Sequence, residues 1–540
     1  MKCRKLLILG LGATALIAQS PNARLQPGFE TIKAANLRAD LFFLSSDALE
    51  GRMSLERGSE VALQWIADEF TKAGLKPAVG DSFLQPVPLV EYKMDREQTF
   101  LKVRVHGNEE TFHAPDATGN YPNDGVYRGN VVFAGFGITA PELHYDDYST
   151  IDARGKIVLV FNHEPQEDDE SSIFNGKGNT RYANARAKMM IARQHGAVAL
   201  LVAPDPNHKP GRERGPLDGA NAAAASLRTP RPIQAIADED SIPVFNVSAK
   251  IAEQLLGATG KTPSELQNSI DSTLKPASAL LGQDEAELHV TTALRKRAIS
   301  YNVAGLVEGS DAQLRNETVL VSGHYDHDGL RVDGAIYHGA DDNGSGTVGV
   351  VALAHAFALN PAKPKRSLLF VVFAAEERGL LGSYYYAAHP LRPLASTRAQ
   401  INFDMIGRDE KDSAQTRGLI EIAPDTSNEV NIVGTKYSPD YRAAVEKENE
   451  YVGLHLSYKW DDDTVLNVLF RSDQYPLLMH NVPAMWWFTG FHPDYHQVTD
   501  TADKINYGKM EKILKLAYLT GFDFADTAKP PTFYASGAPK

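Results

Sequence analysis

Four short apolar segments between residues 319 and 488 constrain the fold of this chain more than any other feature of its sequence. They run over residues 319–322, 367–373, 399–403 and 483–488. Helical patterns such as Gly346–Leu359 lie between them, and a histidine or a carboxylate residue follows each of them within four positions. Apolar strands that alternate with helices are typical of a mostly parallel sheet with helices on both faces. We therefore expect a three-layer α/β/α domain, of the α/β class, over residues 286–527.

A second pattern, with more strand than helix, precedes this region. Buried-type strands are predicted within residues 129–137, 155–161, 196–202 and 242–248, with a helix at 184–195. We predict from this a smaller β-rich domain over residues 119–285, inserted into the larger domain, whose N-terminal part would cover residues 24–118. The final segment, 528–540, contains Pro530 and Pro531 and is predicted to be a loose tail.

The charge balance argues against one large class of function. The chain has 55 Lys and Arg residues against 68 Asp and Glu residues, which gives a formal net charge of −13. Nucleic-acid binding depends on basic side chains that neutralise phosphates, and the sequence contains no long basic run. We therefore expect no nucleic-acid partner.

The N-terminus has the pattern of a signal peptide over residues 1–23. Lys2, Arg4 and Lys5 precede a short apolar run from Leu6 to Ile17, and small residues follow. That run is too short to span a bilayer, and no later apolar stretch is long enough to do so. We expect an exported protein, periplasmic or extracellular, without a transmembrane segment.

The only cysteine is Cys3, which lies inside the predicted signal peptide. After cleavage the chain would hold no thiolate and no disulfide, and no cysteine could act as a nucleophile. Any metal ion would therefore need histidine and carboxylate ligands.

Histidines and carboxylates gather where the predicted strands of the larger domain end. Functional groups in an open α/β sheet lie just past the carboxyl ends of its strands. Two metal ions that share a water need one bridging carboxylate, further ligands at each side and a separate carboxylate as base. Adjacent glutamates can divide the roles of ligand and base. The candidates, in chain order, are His324, Asp326, Asp341, Asp342, Glu376, Glu377, Asp404, His492, Asp494 and His496.

These segments resemble the di-zinc metallopeptidases that include bacterial leucyl aminopeptidases. The matching pieces are His324-Tyr325-Asp326, residues 339–346 (GADDNGSG), residues 374–383 (AAEERGLLGS), residues 402–407 (NFDMIG) and residues 496–501 (HQVTDT). The resemblance implies two Zn²⁺ ions per chain. Asp341 would bridge them, and a cis peptide would join Asp341 to Asp342.

The same resemblance implies the remaining roles. His324 and Asp404 would complete one zinc site, and Glu377 and His496 the other. Glu376 would be the general base, and Asp326 would orient His324. The reaction would be hydrolysis of N-terminal amino acids from peptide substrates. The segment from Leu44 to Arg52 is similar to the lead-in of this family, and residues 119–285 resemble a protease-associated domain.

Other functions that the same fold supports remain open. A dipeptidase or carboxypeptidase would use the same ligands. Glutaminyl cyclases depart from the five-ligand set, and receptor-like relatives that bind without catalysis have lost metal ligands, whereas every position is filled here. A serine hydrolase has little support, because the chain lacks a Gly-x-Ser-x-Gly elbow.

Overall fold

The computed structural model describes residues 25–207 and 232–536. The predicted signal peptide lies outside these residues, and so does the Pro- and Ala-rich stretch of residues 208–231. Two large sheets with separate hydrophobic cores make up the described part.

The larger sheet has ten strands and a parallel centre. From one edge to the other the strands are Ile233–Ile236, Leu84–Met94, Thr292–Val307, Ser367–Phe373, Thr318–His324, Thr397–Phe403, Ala484–Phe488, Glu429–Val433 and His455–Ser457, with Lys76–Pro77 added to Thr292–Val307. The strand Thr318–His324 runs parallel to both of its neighbours, and Thr397–Phe403 runs parallel to Ala484–Phe488. Antiparallel strands flank this centre. The sheet is therefore parallel at its centre as expected, but the antiparallel pairs on both sides make it mixed as a whole rather than mostly parallel.

The central strands are apolar on both faces because helices cover both. Val319 and Val321 pack into one hydrophobic cluster, while Leu320 between them packs into the other. Successive side chains of a strand point to opposite faces, so this alternation places a layer on each side. The helices of this domain are Gln26–Phe29, Ala34–Leu44, Arg57–Ala73, Gly346–Leu359, Leu381–Ala388, Pro439–Asn449, Gln474–Met479 and Tyr507–Asp526. The predicted three-layer α/β/α architecture is thereby confirmed.

The smaller sheet has eight strands and its own core. In spatial order they are Asn108–Phe112, Phe100–Val105, Ala279–Val290, Gly125–Phe133, Ile157–Phe161, Ala199–Ala203, Val244–Val247 and Ala117–Gly119. The helices Ala185–Gln194, Ala249–Leu256 and Pro263–Thr273 accompany this sheet. We call this sheet and its helices the smaller unit. Two short hairpins pair Thr139–Ala140 with Tyr145–Asp146, and Gly329–Leu330 with Ile336–Tyr337.

The smaller unit differs at three places from the insert expected at residues 119–285. Its sheet begins at Phe100, because Phe100–Val105 pairs with Ala279–Val290 along its length. The strand Ala279–Val290 also extends the smaller unit beyond the expected end at residue 285, to Val290. Within the expected insert, Ile233–Ile236 pairs instead with Leu84–Met94 in the larger sheet. These local pairings depend on distant partners, which the sequence pattern does not reveal.

Part of the predicted loose tail packs against the protein. The ring of Phe533 stacks on Tyr437, with centroids 5.2 Å apart, and Tyr534 N donates to Tyr437 O at 2.8 Å. Pro531 is buried. Within the described residues the segment after the last helix is therefore held in place by an aromatic contact.

Arg52 joins the N-terminal helices to the loops at the carboxyl edge of the larger sheet. Its guanidinium is 1 % exposed and donates to the carbonyl oxygens of Leu44 (2.6 Å), Tyr325 (2.9 Å), His338 (2.7 Å) and Gly339 (2.7 Å). Burial lowers the pKa of Arg52 to about 10, so the side chain stays charged at neutral pH. One side chain thus satisfies main-chain acceptors from three separate segments.

Among the described residues, no helix combines the length and the apolar character that crossing a bilayer requires.

Replacing Arg52 with Met is expected to lower the free energy of unfolding by about 3–5 kcal/mol, because four buried carbonyl oxygens lose their donor. Urea denaturation followed by tryptophan fluorescence measures this change. Arg57→Met is the matched control, since the Arg57 side chain is 65 % exposed and its contacts are with solvent-facing groups. Equal losses in the two variants would show that Arg52 has no special structural role.

Candidate metal centre

The predicted site residues lie at the carboxyl edge of the larger sheet. His324 is the last residue of its strand, and Asp404 follows Phe403 directly. Glu376 and Glu377 come just after the strand Ser367–Phe373, in a short turn. His496 reaches the same edge from the loop that follows Ala484–Phe488. The order of strands in the sheet therefore brings these separate segments together.

The loop before helix Gly346–Leu359 has a fixed shape that aims one aspartate inward. Gly339 adopts a φ of 54°, and a side chain there would meet the Asp342 carbonyl oxygen. The Asn343 carboxamide accepts from Gly346 N at 2.8 Å and donates to Phe403 O at 2.9 Å. A cis peptide joins Asp342 to Asn343, whereas the sequence resemblance placed this bond between Asp341 and Asp342. The expected position was wrong by one residue.

Asp342 lies between the two predicted histidine ligands. Its Oδ1 is 3.6 Å from His324 Nε2, and its Oδ2 is 3.0 Å from His496 Nε2. The two oxygens of this single carboxylate therefore face different histidines, which is the arrangement a bridging ligand needs.

Asp341, which the sequence suggested as the bridge, points elsewhere. Its Oδ1 accepts from Gly407 N at 2.7 Å, and its Oδ2 lies 3.3 Å from His492 Nε2. Asp500 accepts from the main-chain N–H groups of both Asp341 and Asp342 and so fixes the turn between them. Adjacent residues in this extended turn project in different directions, and only Asp342 projects toward the histidines. Of the two aspartates, Asp342 rather than Asp341 therefore has the orientation that a bridging ligand would need.

The group formed by His324, Asp342 and Asp404 fits a metal ion. His324 Nε2 and Asp404 Oδ1 are buried and 3.5 Å apart, and neither has a hydrogen-bond partner among the described residues. Ligands of one tetrahedral zinc, each at its usual bond length, lie about 3.5 Å from one another. The Ser472 hydroxyl donates to Asp404 Oδ2 at 2.7 Å, which holds the carboxylate with Oδ1 toward His324.

A second group surrounds His496. Glu377 Oε2 lies 3.4 Å from His496 Nε2, and Asp328 Oδ2 lies 2.9 Å from His496 Nδ1. A carboxylate on the far nitrogen of a ligating histidine fixes its ring orientation and raises its basicity. His327 Nδ1 is 2.7 Å from Glu377 Oε1. Asp328, four residues after His324, was not among the residues predicted from the sequence.

Glu376 lies beside these groups and is held through its main chain. Its Oε2 is 3.6 Å from His324 Nε2, and the side chain is 9 % exposed. Asp326 accepts from the N–H groups of Glu376 (2.9 Å) and Glu377 (3.3 Å). Asp326 also lies against His324, whose Nδ1 is 3.2 Å from the Asp326 carbonyl oxygen. Asp326 thus links the turn of the adjacent glutamates to the histidine.

Crowding of carboxylates makes this edge strongly acidic. Burial raises the pKa of Glu376 well above its usual range, and the Asp404 carboxylate raises it further. Burial also raises the pKa of Glu377 to about 7. Burial alone would lower the pKa of His496, but the Glu377 charge outweighs it and raises that pKa well above its ordinary value. Divalent cations would offset this concentration of negative charge.

The residues predicted from the sequence did not include Tyr495 and Arg471, an aromatic and a cationic side chain that lie near His496. The ring of Tyr495 is 4.2 Å from that of His496, centroid to centroid. Arg471 Nη2 donates to Tyr495 Oη at 3.1 Å, and the guanidinium lies over the Phe491 ring at 4.9 Å. Their positions directly before Ser472 and His496 were the only signal available in the sequence.

Measuring how much metal each variant retains distinguishes the role of Asp341 from that of Asp342. Asp342→Asn is expected to lose most of its bound metal, since an amide cannot bridge two cations with two oxygens, whereas Asp341→Asn keeps it. Metal content after dialysis, measured by plasma mass spectrometry, tests this difference. Metal loss in Asp341→Asn with retention in Asp342→Asn would restore the bridging role to Asp341.

Comparisons with known proteins match the region of the chain that contains this site. The sequence profile of Peptidase family M28 matches residues 302–520. Leucine aminopeptidase 2 of Arthroderma otae is 28 % identical over 231 residues, covering 39 % of this chain and 41 % of that protein. Leupeptin-inactivating enzyme 1 of Streptomyces exfoliatus is 28 % identical over 191 residues, covering 35 % and 42 %. The matched region thus spans less than half the length of these relatives.

Solved structures with similar folds include an aminopeptidase from Aneurinibacillus sp. strain AM-1, with a TM-score of 0.45 and 18 % identity over 94 % of this chain and 97 % of that one. A zinc aminopeptidase from Bacillus subtilis gives a TM-score of 0.43 at 18 % identity with the same coverage. The profile match is the finding that identifies the region. Residues 302–520 are similar to Peptidase family M28, and this similarity bears out the resemblance to metallopeptidases that the sequence motifs indicated.

Proposed function

We propose that this chain is an exported, zinc-dependent aminopeptidase that releases N-terminal amino acids from peptides. The observation that carries the proposal is the position of Asp342, with one oxygen toward His324 and the other toward His496. Glu376 lies beside this arrangement as a carboxylate outside the ligand set. A bridging ligand, end ligands and a separate base are the parts that two-metal hydrolysis requires.

The donor set suits two zinc ions. His324 and Asp404 would hold one, Glu377 and His496 would hold the other, and Asp342 would contact both. When bound, the ions would act as Lewis acids that lower the pKa of a water molecule and polarise the scissile carbonyl. With only histidine and carboxylate ligands, the set would also accept manganese or cobalt.

Glu376 is the proposed general base. The raised pKa of its buried carboxyl favours uptake of a proton from the attacking water. The same carboxyl would then give this proton to the amine that leaves when the peptide bond breaks. Asp326 supports the step by holding the main chain of Glu376 in place.

Free N-terminal amines are the proposed recognition element. The site is rich in carboxylates, and the fully buried Asp473 follows Ser472, whose hydroxyl donates to Asp404. An acidic recess favours a cationic ammonium group over a carboxylate. The relatives named leucine aminopeptidase support the same choice.

The smaller unit is proposed to be a protease-associated domain, and the N-terminal segment a signal for export.

Glu376→Gln is expected to lower kcat by about 10²–10⁴-fold while leaving metal content unchanged, because the amide keeps the shape of the side chain but cannot accept the proton. Steady-state kinetics and metal analysis on the same sample measure both effects. Glu317→Gln is the control, because Glu317 precedes the strand that ends in His324 and pairs with Arg366 far from the site. Full turnover in Glu376→Gln would remove its assignment as the base.

A panel of short peptides, each with a free and an N-acetylated terminus, tests the reaction itself. The purified protein is expected to cleave only the free-amine peptides, and a chelator should abolish cleavage until zinc is restored. Cleavage regardless of acetylation would indicate a carboxypeptidase or endopeptidase on the same ligands. If no peptide is cleaved, the proposed function is wrong, and a cyclase or a binding role takes its place.

A further inference from the structure

A loop of the smaller unit, residues 175–182, docks on the larger domain beside the segment that leads into the metal centre. Gly178 approaches so closely that an added side chain would meet the Asp461 carbonyl oxygen. Lys436 of the larger domain donates to the carbonyl oxygens of Asn175, at 3.4 Å, and Lys177. The loop is therefore bound tightly through main-chain groups.

Asn179 is the side chain at the centre of this contact. It is 3 % exposed, and its Nδ2 donates to Asp463 O at 3.2 Å and to Asn467 Oδ1 at 2.9 Å. Both acceptors belong to the larger domain. A buried amide that donates both of its hydrogens across a domain contact fixes the position of one segment relative to the other, here the loop 175–182 relative to the segment with Asp463 and Asn467.

The segment that Asn179 contacts is an ordered turn. The Asp463 carboxylate accepts from the N–H groups of Leu466 and Val468, both at 2.8 Å. Asn467 adopts a φ of 55°, a conformation that asparagine tolerates better than most residues, and begins the short turn Val468–Phe470. Displacing Asp463 or Asn467 would therefore shift everything that follows directly in the chain.

Arg471 and Ser472 follow that turn and belong to the metal centre. Arg471 N donates to Val468 O at 3.0 Å, and its guanidinium contacts the hydroxyl of Tyr495, next to His496. Ser472 supports Asp404 through its hydroxyl. A continuous path of hydrogen bonds and adjacent residues thus runs from the smaller unit to the groups around both metal positions.

We propose that Asn179 is a positioning residue, through which the smaller unit sets the place of Arg471 and Ser472 at the site of peptide hydrolysis. This inference rests on the proposed aminopeptidase function for its kinetic consequence and on the Asn179 contacts for its geometry. The smaller unit is then part of the working site, although it supplies neither a metal ligand nor the base.

The test compares Asn179→Ala and Asn179→Asp with the wild-type chain. Both variants lose the donor, and the aspartate keeps the size of the side chain. We expect kcat/KM for free-amine peptides to fall by about 5- to 100-fold in each, mostly through KM, as two lost hydrogen bonds imply. Metal content should not change. Asn467→Gly removes the side-chain acceptor of Asn179 and keeps a residue that tolerates positive φ. In the double variant, the decrease in kcat/KM should be smaller than the two single decreases combined, because both changes remove the same hydrogen bond.

Asn184→Ala is the control in the same unit. The Asn184 side chain accepts from Arg186 N at the start of helix Ala185–Gln194, and within the described part of the chain it has no hydrogen bond to residues 461–472. It should lower thermal stability and leave kcat/KM unchanged. Equal kinetic losses in Asn184→Ala and Asn179→Ala, or kcat/KM within two-fold of wild type in both Asn179 variants, would overturn the inference.

Hydrogen exchange keeps the two proposals distinguishable. Amides in residues 464–472 should exchange faster in Asn179→Ala than in the wild-type chain, whatever the substrate is. Inactive wild-type protein with faster exchange in the variant would contradict the proposed function and support the positioning role. Unchanged exchange in this segment would contradict the positioning role, whether or not the wild-type chain cleaves peptides.

Discussion

The crowding of carboxylates at one edge of the larger sheet is the constraint on which the rest of the site depends. Several acidic side chains lie almost fully buried within a few ångströms of one another, where mutual repulsion and lost hydration both oppose ionisation. Main-chain N–H groups reduce this cost by donating to Asp326, Asp341 and Asp500, none of which faces both histidines. Among the described residues, the carboxylates that face Nε2 of one or both of these histidines, led by Asp342, accept from no main-chain N–H group. Each of the first three acids thus has at least one oxygen that the main chain satisfies, whereas the inward oxygens of the others would suit cations.

The sequence predicted the sheet and the set of segments at its edge because these depend on local pattern. Strand Ser367–Phe373 and helix Gly346–Leu359 have the bounds that their hydrophobic patterns indicated. The position of Glu376 after its strand was likewise readable. All of these follow from alternation along the chain and from the rule that loops at the carboxyl ends of parallel strands meet at one edge.

Other features could not be predicted from the chain order. Which of Asp341 and Asp342 faces inward depends on a turn shaped by Asp500, more than 150 residues away. The strand Ile233–Ile236 forms only because Leu84–Met94 offers it an edge. Arg471 acquires its place from the packing of Tyr495 and from a contact made by the smaller unit. Each of these depends on a partner distant in sequence, and the pattern around the residue itself carries no trace of that partner.

The pairing of Leu84–Met94 with Thr292–Val307 has a consequence for biosynthesis. Asn302 Nδ2 donates to Gln85 Oε1 across a sequence separation of 217 residues, and the whole smaller unit lies between them. At ordinary translation speeds of 5–20 residues per second, roughly 10–40 s pass between the emergence of these two strands. During that interval Leu84–Met94 has no partner on the side that Thr292–Val307 later covers. The smaller unit has its own core and can fold in this time, so the larger sheet is completed only after Thr292–Val307 follows.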